Sequence, residues 1–178
     1  MPNDASAMHK ITKDKFIPFL DVLKLLNITD WEDSTKYAPS WKRIDYSTIF
    51  ELSAGEQEED RDYICYASPV TDIDSNKPEL PQEIAIYEGN PIYDFIFNEF
   101  YNLPVGDACK TGALLCFGGT TQKAWLGVVT ITEKTLNTVD GKITFTLKWG
   151  GDIIKGYYEI TDGVPEFTDE APTVNTTP

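Results

Sequence analysis

The carboxyl-terminal half of the chain alternates between runs with a strand period and tight turn signals, and this pattern constrains the fold more than any other feature of the sequence. Its clearest run, residues 142–149 (KITFTLKW), alternates apolar residues with lysine and threonine. A period of two is typical of a strand with one buried face. Asp-Gly at 140–141 and Gly-Gly at 150–151 flank the run, as in antiparallel hairpins. We expect its inward face to comprise Ile143, Phe145, Leu147 and Trp149.

Three further runs in this half predict strands, at residues 113–118, 123–133 and 153–161. A shorter strand is predicted over 82–88, ending at Gly89. Each run is rich in apolar, β-branched or aromatic residues and is bounded by turn formers. The connections are those of antiparallel strands.

A helix is predicted over residues 91–102. Asn90 can cap its free N–H groups, and Pro91 suits the first helical position. Pro104 and Gly106 end it. Its apolar positions recur at three-and-four spacing, which predicts one buried stripe formed by Ile92, Phe95, Ile96, Phe100 and Leu103.

Upstream of this helix the pattern is less regular. Residues 41–52 predict a long half-buried strand, and residues 61–67 a strand that returns from it. The acidic segment 54–60 between them is expected to be a solvated turn. Residues 69–81 (PVTDIDSNKPELP) contain three prolines and several turn formers, which predicts a long loop without an element of its own.

The two ends of the chain are expected to lie outside the main domain. Residues 14–27 have apolar positions at helical spacing, with Pro18 tolerable in the first turn, and they predict a short helix. The polar segment from Asp162 predicts a frayed tail. The predicted division is an extension over 1–40, a β domain over 41–163 and a flexible tail over 164–178.

About seven strands and one clear helix place the chain in the mainly β (α+β) class. We expect an antiparallel β-sandwich or small barrel, one α-helix packed against it, and the short N-terminal helix. The large residues Trp125, Phe145, Leu147 and Trp149 are expected to fill the interior.

The charge balance excludes several functions. The chain has 29 acidic against 15 basic residues, a formal charge of −14. A sequence-independent grip on nucleic acid needs clustered lysine and arginine, so tight binding to DNA or RNA is not expected. The chain also lacks a run of about 18 apolar residues and a signal-peptide pattern, so we expect a soluble, unsecreted protein that does not bind membranes.

No motif predicts catalysis or a cofactor. The only histidine, His9, lies in a polar terminal stretch, and Gly118-Gly119 lack the context of a phosphate-binding loop. Cys65, Cys109 and Cys116 fit neither a metal clip nor paired disulfides, and we expect reduced, mostly buried thiols. The spacing of a calcium loop does occur, but Lys77 replaces the turn glycine, which favours an ordinary turn; the four candidate ligands are Asp72, Asp74, Asn76 and Glu83.

In the order of its elements and in several phrases, the chain resembles the major tail tube proteins of long-tailed, siphovirus-type bacteriophages. The resemblance covers about residues 37–163. It is carried by the stretches WKRIDYSTIFELS, DRDYICYA, KPELPQEIAIYEGNPIYDFIFNEFY and KAWLGVVTITEKTLNTVDGKITFTLKWGGDIIKGYYEITDG.

The resemblance implies a structural virion protein without an active site. Its subunits would form stacked hexameric rings, the conduit for phage DNA, and would meet the tape measure, tail terminator and tail tip proteins. It would be located in the virion tail, and in the host cytoplasm during assembly. The segment that reaches the adjacent ring would comprise Val70, Thr71, Asp72, Ile73, Asp74, Ser75, Asn76, Lys77, Glu79 and Leu80.

The resemblance also gives the charge a role. An acidic wall repels phosphates over a Debye length of about 8 Å, so DNA would pass without specific binding. We therefore expect a predominantly acidic lumen. The outward Lys142 and Lys148 argue against the outward face of their own strand as its lining. The alternative function is a small-ligand-binding or carbohydrate-binding β-sandwich module.

Overall fold

The computed structural model describes residues 12–62, 64–65, 68–119 and 122–171. His9 and its polar terminal stretch lie largely outside these residues. One helix, α1, spans Pro91–Asn102, and short 3-10 turns lie at Lys13–Lys15, Ile28–Asp30 and Gly106–Cys109. The strands are β1 (Phe16–Asp21), β2 (Trp41–Arg43), β3 (Glu56–Arg61), β4 (Val70–Asn76), β5 (Glu79–Ala85), β6 (Lys110–Phe117), β7 (Lys123–Asn137), β8 (Lys142–Trp149), β9 (Ile154–Thr161) and β10 (Val164–Thr168).

Eight of these strands form one antiparallel sheet that curls into a half-barrel. The strand order is β5, β8, β7, β6, β1, β2. Strand β9 pairs with the first part of β7, and β10 pairs with β9, so these two strands form a branch of the sheet. The segment after β2 then runs back along β5, where Ser47 bridges Ile84 and Ser53 bridges Glu79. This segment therefore joins the two ends of the curled sheet.

The concave side of the sheet holds the larger core. Phe145, Leu147 and Trp149 on β8 are almost fully buried there, and α1 contributes Ile92 and Ile96. The prediction that large side chains fill the interior is confirmed for these three β8 residues. Trp125 is only half-buried and packs at the edge of this core.

A second core lies on the opposite face of β1, β6 and β7. It includes Phe19 and Leu114, and it is covered by the segment 22–40 through Ile28 and Tyr37. The carboxylate of Asp21, which is fully buried, holds this segment by accepting hydrogen bonds from three backbone N–H groups, those of Leu23 (3.0 Å), Leu25 (2.8 Å) and Ser40 (2.8 Å).

The mainly β class, the bounds of α1 and β8, and the inward face of β8 are confirmed. The predicted buried stripe of α1 is confirmed for Ile92 and Ile96 and wrong for Leu103, which is 71% exposed because it lies past the last helical residue. The hairpin predicted at 150–151 is also wrong, because β9 pairs with β7 and β10 and not with β8.

Helix α1 has the predicted bounds because the Asn90 side chain accepts hydrogen bonds from the N–H groups of Ile92 (3.0 Å) and Tyr93 (3.4 Å). Leu103 ends the helix in a left-handed conformation, with φ of 48°. A cap of this kind stabilises a helix by about 1 kcal/mol.

The predicted N-terminal helix over 14–27 is wrong, because residues 16–21 form strand β1. Pro18 does not interrupt the pairing with β6. In a strand, the N–H and C=O of one residue point to the same side, and the Pro18 carbonyl accepts from Ile44 N (2.9 Å), just beyond the end of β2. The missing N–H therefore faces the side where the neighbouring strand has already ended.

The long strand predicted over 41–52 is also wrong beyond Arg43. Tyr46 has a φ of 60°, which breaks the extended backbone, and the chain continues as a bridging segment. The predicted turn at 54–60 is instead largely strand β3. The predicted loop at 69–81 contains all of β4 and the first three residues of β5. The predicted return strand at 61–67 is not found in the described Ile64 and Cys65, which form a turn.

The predicted frayed tail is wrong for residues 164–168. A turn at Asp162 and Gly163 returns the chain, and β10 pairs with β9. Strands β1 and β10 thus bring residues of both predicted flanking segments into the main sheet. The division at residues 40 and 163 stays a prediction.

Candidate assembly surfaces

Strands β3 and β4 form a separate two-stranded sheet, which we call the arm (residues 56–76). All six residues of β3 are exposed, and on β4 only Val70 and Asp72 are half-buried. Seven residues of strand extend about 24 Å. The arm thus has solvent on both faces, as expected of a segment that projects from the body.

The two ends of the arm meet at its base. The backbone N–H of Lys77 donates to the Gly55 carbonyl (3.0 Å). Gly55 has a φ of +58°, and a Cβ there would lie 2.0 Å from the Lys77 carbonyl oxygen. Only glycine fits this close approach.

One face of the arm is organised around Arg61. Its guanidinium donates to Glu59 (2.8 Å) and Asp74 (3.1 Å) and lies 3.9 Å from Asp72. The hydrogen bond from Arg61 lowers the pKa of Glu59 below its ordinary value. Since these side chains are solvent-accessible, the cluster orders the arm with little net stabilisation.

The other face carries carboxylates beside an apolar side chain. Glu58 lies opposite Ile73, and Asp60 lies opposite Thr71, whose hydroxyl donates to the Asp60 carboxylate (2.7 Å). Ile73 is 55% exposed. We call this the Glu58–Asp60 face. At the described part of the arm tip, Ile64 is fully exposed.

The structure places the predicted inter-ring residues in two settings. Val70 to Asn76 form β4 and lie on the arm, and Lys77 lies at its base. Glu79 and Leu80 belong to β5 in the body, and Leu80 is fully buried in the larger core. Leu80 therefore contributes to packing and not to the surface.

The four candidate calcium ligands are not brought together. Asp72 and Asp74 contact Arg61 on the arm, whereas Glu83 lies on β5 and accepts from Lys142 Nζ (2.6 Å) and Thr48 Oγ1 (2.7 Å). Among the described residues, no group of three or more histidine, cysteine or acidic side chains is placed to hold a metal ion.

The convex face of β5, β8 and the second part of β7 is polar, and we call it the threonine face. The register places Thr130 and Thr132 of β7 beside Lys148 and Thr146 of β8. Both outward lysines of β8 are ion-paired: Lys142 with Glu83 (2.6 Å), and Lys148 with Glu133 (2.9 Å) and Glu79 (3.5 Å).

These pairs shift the titration of both partners. The hydrogen bond from Lys142 lowers the pKa of Glu83, and the one from Lys148 lowers the pKa of Glu133. The pKa values of Lys142 and Lys148 are raised by the same contacts. At neutral pH the face thus presents charged but mutually neutralising groups.

A basic and aromatic patch lies where β9 branches from β7. Lys123 is paired with Tyr157 and Trp125 with Lys155, so all four side chains share one face of the sheet. They line an open depression of about 350 Å³. Both lysines are exposed, and neither has a carboxylate partner among the described residues. We call these four residues the lysine–aromatic patch.

Sequence reasoning missed this patch, although a signal for it exists. The two runs KAW and KGY place a lysine two residues before an aromatic residue, and therefore on the same face of a strand. Only the antiparallel register of β7 and β9 brings the two runs together.

The three cysteines are free, as expected from their spacing. The prediction that they are mostly buried is confirmed for Cys116 and wrong for Cys65, which is exposed near the arm tip. Burial raises the pKa of the Cys116 thiol to about 12. Cys109 is half-buried, and its thiol donates to the Pro104 carbonyl (2.8 Å).

Within the described part of the chain, no helix has the length and apolar character needed to cross a membrane.

Comparison with known proteins finds similarity at the level of the fold alone. No family model matches the sequence, and no curated protein matches it. A chain in a cryo-EM structure of the anti-feeding prophage cap (tube terminating cap) is 10% identical, with a TM-score of 0.51 over 87% of this chain and 96% of that one. The two chains share a fold. A chain in a six-fold symmetrised structure of the anti-feeding prophage baseplate is 9% identical, with a TM-score of 0.46 over 83% of this chain and 96% of that one.

Proposed function

We propose that this chain is a non-enzymatic structural subunit of a phage tail or a phage-tail-like tube. In the finer form of the proposal, it is a major tail tube protein that forms stacked hexameric rings and meets other tail proteins at the ends of the tube. The observation that carries the proposal is the arm, a structured two-stranded element that is exposed on both faces. The fold shared with a chain of the anti-feeding prophage cap supports it.

The arm is explained by assembly better than by any role within one chain. A two-stranded hairpin without a hydrophobic face is marginal in water, and this arm buries almost nothing against its own body. Contact with a neighbouring subunit would bury its side chains and stabilise it. An arm that docks on a different surface of the next copy propagates the assembly, as rings and stacks require.

The threonine face is our candidate for the lining of the bore. Because Lys142 and Lys148 are both ion-paired with glutamates, a phosphate backbone would find no unneutralised lysine at these two positions. Repulsion by the remaining net negative charge acts over about 8 Å at physiological salt. DNA would then pass this wall without binding it, which accords with the charge of −14.

The alternative, a module that binds a small ligand inside the barrel, is disfavoured by the packing. Phe145, Leu147 and Trp149 occupy the concave side together with Ile92 and Ile96 of the helix. These five side chains are almost fully buried and take the space that an interior ligand would need.

Electron microscopy of the purified protein over a range of concentrations tests the proposal. We expect rings or tubes for the natural chain. A variant with residues 57–75 replaced by Asn-Gly closes the arm base with a two-residue turn between Glu56 and Asn76, which are already paired. It should fold and remain monomeric. Natural protein that stays monomeric under every condition, or arm-shortened protein that still forms tubes, would contradict the proposal.

A further inference from the structure

We infer that the Glu58–Asp60 face of the arm of one copy docks on the lysine–aromatic patch of a second copy. The inference rests on the proposed function, which it deepens by naming both contact surfaces.

The charges of the two surfaces are complementary. The arm region from 56 to 77 carries seven carboxylates and two basic side chains, Arg61 and Lys77. Arg61 neutralises part of the opposite face, which leaves Glu58 and Asp60 as the carboxylates beside Ile73. In a chain with almost twice as many acids as bases, two adjacent exposed lysines without a carboxylate partner in the described residues form an uncommon surface.

The spacing of the charges also agrees. Glu58 and Asp60 are two residues apart on one strand, a separation of about 7 Å. Lys123 and Lys155 are diagonal neighbours on β7 and β9, since Lys123 pairs with Tyr157 and Trp125 with Lys155. Diagonal neighbours in an antiparallel pair are about 7–8 Å apart. Two ion pairs can therefore form together.

The apolar parts match in the same way. Ile73 lies directly across the arm from Glu58 and is 55% exposed. Trp125 and Tyr157 lie beside the two lysines, line the same depression and are half-buried. Covering an isoleucine and two aromatic rings removes apolar surface from water, which the chain by itself leaves exposed.

The two surfaces differ, so their contact is heterologous. A contact of this type leaves one arm and one patch unused at the ends of each row of subunits, and the row grows until a ring closes or a stack forms. This is the geometry that a tube needs. It also predicts that assembly weakens with salt, because the ion pairs lie at an accessible rim.

Charge reversal with rescue tests the inference. The variant Lys123→Glu/Lys155→Glu should raise the concentration required for assembly at least tenfold, measured by sedimentation velocity and electron microscopy, because it places like charges in contact. The control Lys36→Glu/Lys134→Glu changes the net charge equally at lysines outside the patch and should assemble as the natural protein does.

The rescue variant adds Glu58→Lys/Asp60→Lys to the reversed patch and should restore assembly, whereas the same arm change alone should impair it. Circular dichroism melting of each variant, compared with the natural protein, verifies that the chain still folds. Unchanged assembly of the patch variant, or loss that the arm change fails to rescue, would overturn the docking inference while tube formation by the natural protein upheld the proposed function. Monomers of the natural protein under every condition would overturn both.

Discussion

The body and the arm are both built from antiparallel strands, but the body is stabilised by buried apolar side chains and the arm is ordered by surface ion pairs. In the body, β6 is covered on both faces, and its Leu114 and Leu115 are fully buried on opposite sides of the strand. In the arm, every residue of β3 is exposed, and an arginine links three carboxylates. Stability therefore resides in the body, and the exposed side chains of the arm remain accessible for the contacts proposed above.

The largest expected difference between the two regions is in thiol reactivity. Cys65 is exposed near the arm tip, whereas Cys116 is fully buried in the body and its pKa is raised to about 12. A native domain exposes its core only by unfolding, with a free energy of about 5 kcal/mol or more. A disulfide reagent at pH 8 should modify Cys65 at least about 1,000-fold faster than Cys116. Equal rates in single-cysteine variants would show that the arm tip protects Cys65 as well as the body protects Cys116.

Truncation of apolar side chains should separate the regions by several kcal/mol. Phe145 is buried on the concave side, and Phe145→Ala should lower the free energy of unfolding by about 3–5 kcal/mol. Ile73 is 55% exposed on the arm, so Ile73→Ala should change it by less than about 0.5 kcal/mol. Urea denaturation of both variants measures this. A costly Ile73→Ala would show that the arm packs on its own body.

Loss of the buried carboxylate at Asp21 should have the next largest effect. Asp21→Ala leaves three backbone N–H groups without their acceptor and should cost about 2–4 kcal/mol. Asp21→Asn keeps one carbonyl oxygen and should lose less. Equal losses in the free energy of unfolding for both variants, measured by urea denaturation, would show that the hydrogen bonds to the segment 22–40 do not account for the loss.

The smallest expected effect comes from pH. Lys148 lowers the pKa of Glu133, so this carboxylate adds stability above its unfolded value of 4.5 and loses the contribution as pH falls through its lower folded pKa. Glu133 is exposed and Lys148 is half-buried at the surface, so the melting temperatures of the natural protein and Glu133→Gln should differ by no more than about 2 °C at pH 7. The difference should vanish near pH 3. A difference that grew toward low pH would reverse the assigned sign.

How well each helix or strand could be predicted from the sequence depends on how many of its faces are buried. Strand β8 has one buried face and α1 has one buried stripe, and both were predicted with their observed bounds. Strand β1 is buried on both faces and was mistaken for a helix, because a run without polar alternation has no strand period. Strands β3 and β4 have few or no buried residues and were mistaken for turn and loop.

The two candidate surfaces also differ in how far they could be predicted from the sequence. Ten residues between 70 and 80 were predicted to contact a neighbouring ring, and this contact stays a prediction. The structure places Val70 to Lys77 on the arm or at its base, and Glu79 and Leu80 in the body. The lysine–aromatic patch was not predicted, since Lys123 and Lys155 are 32 residues apart in the sequence and meet only through the β7–β9 register.

The charge of −14, the β6–β7 and β7–β8 pairings and the capped helix could be inferred from the sequence alone, because they depend on composition or on residues close together in the chain. Three features could be known only from the folded chain: the acidic run is a strand, Lys142 and Lys148 are ion-paired, and two lysines and two aromatic residues share a depression. Those features depend on strand register, which is set by the packing of distant segments and not by local preference.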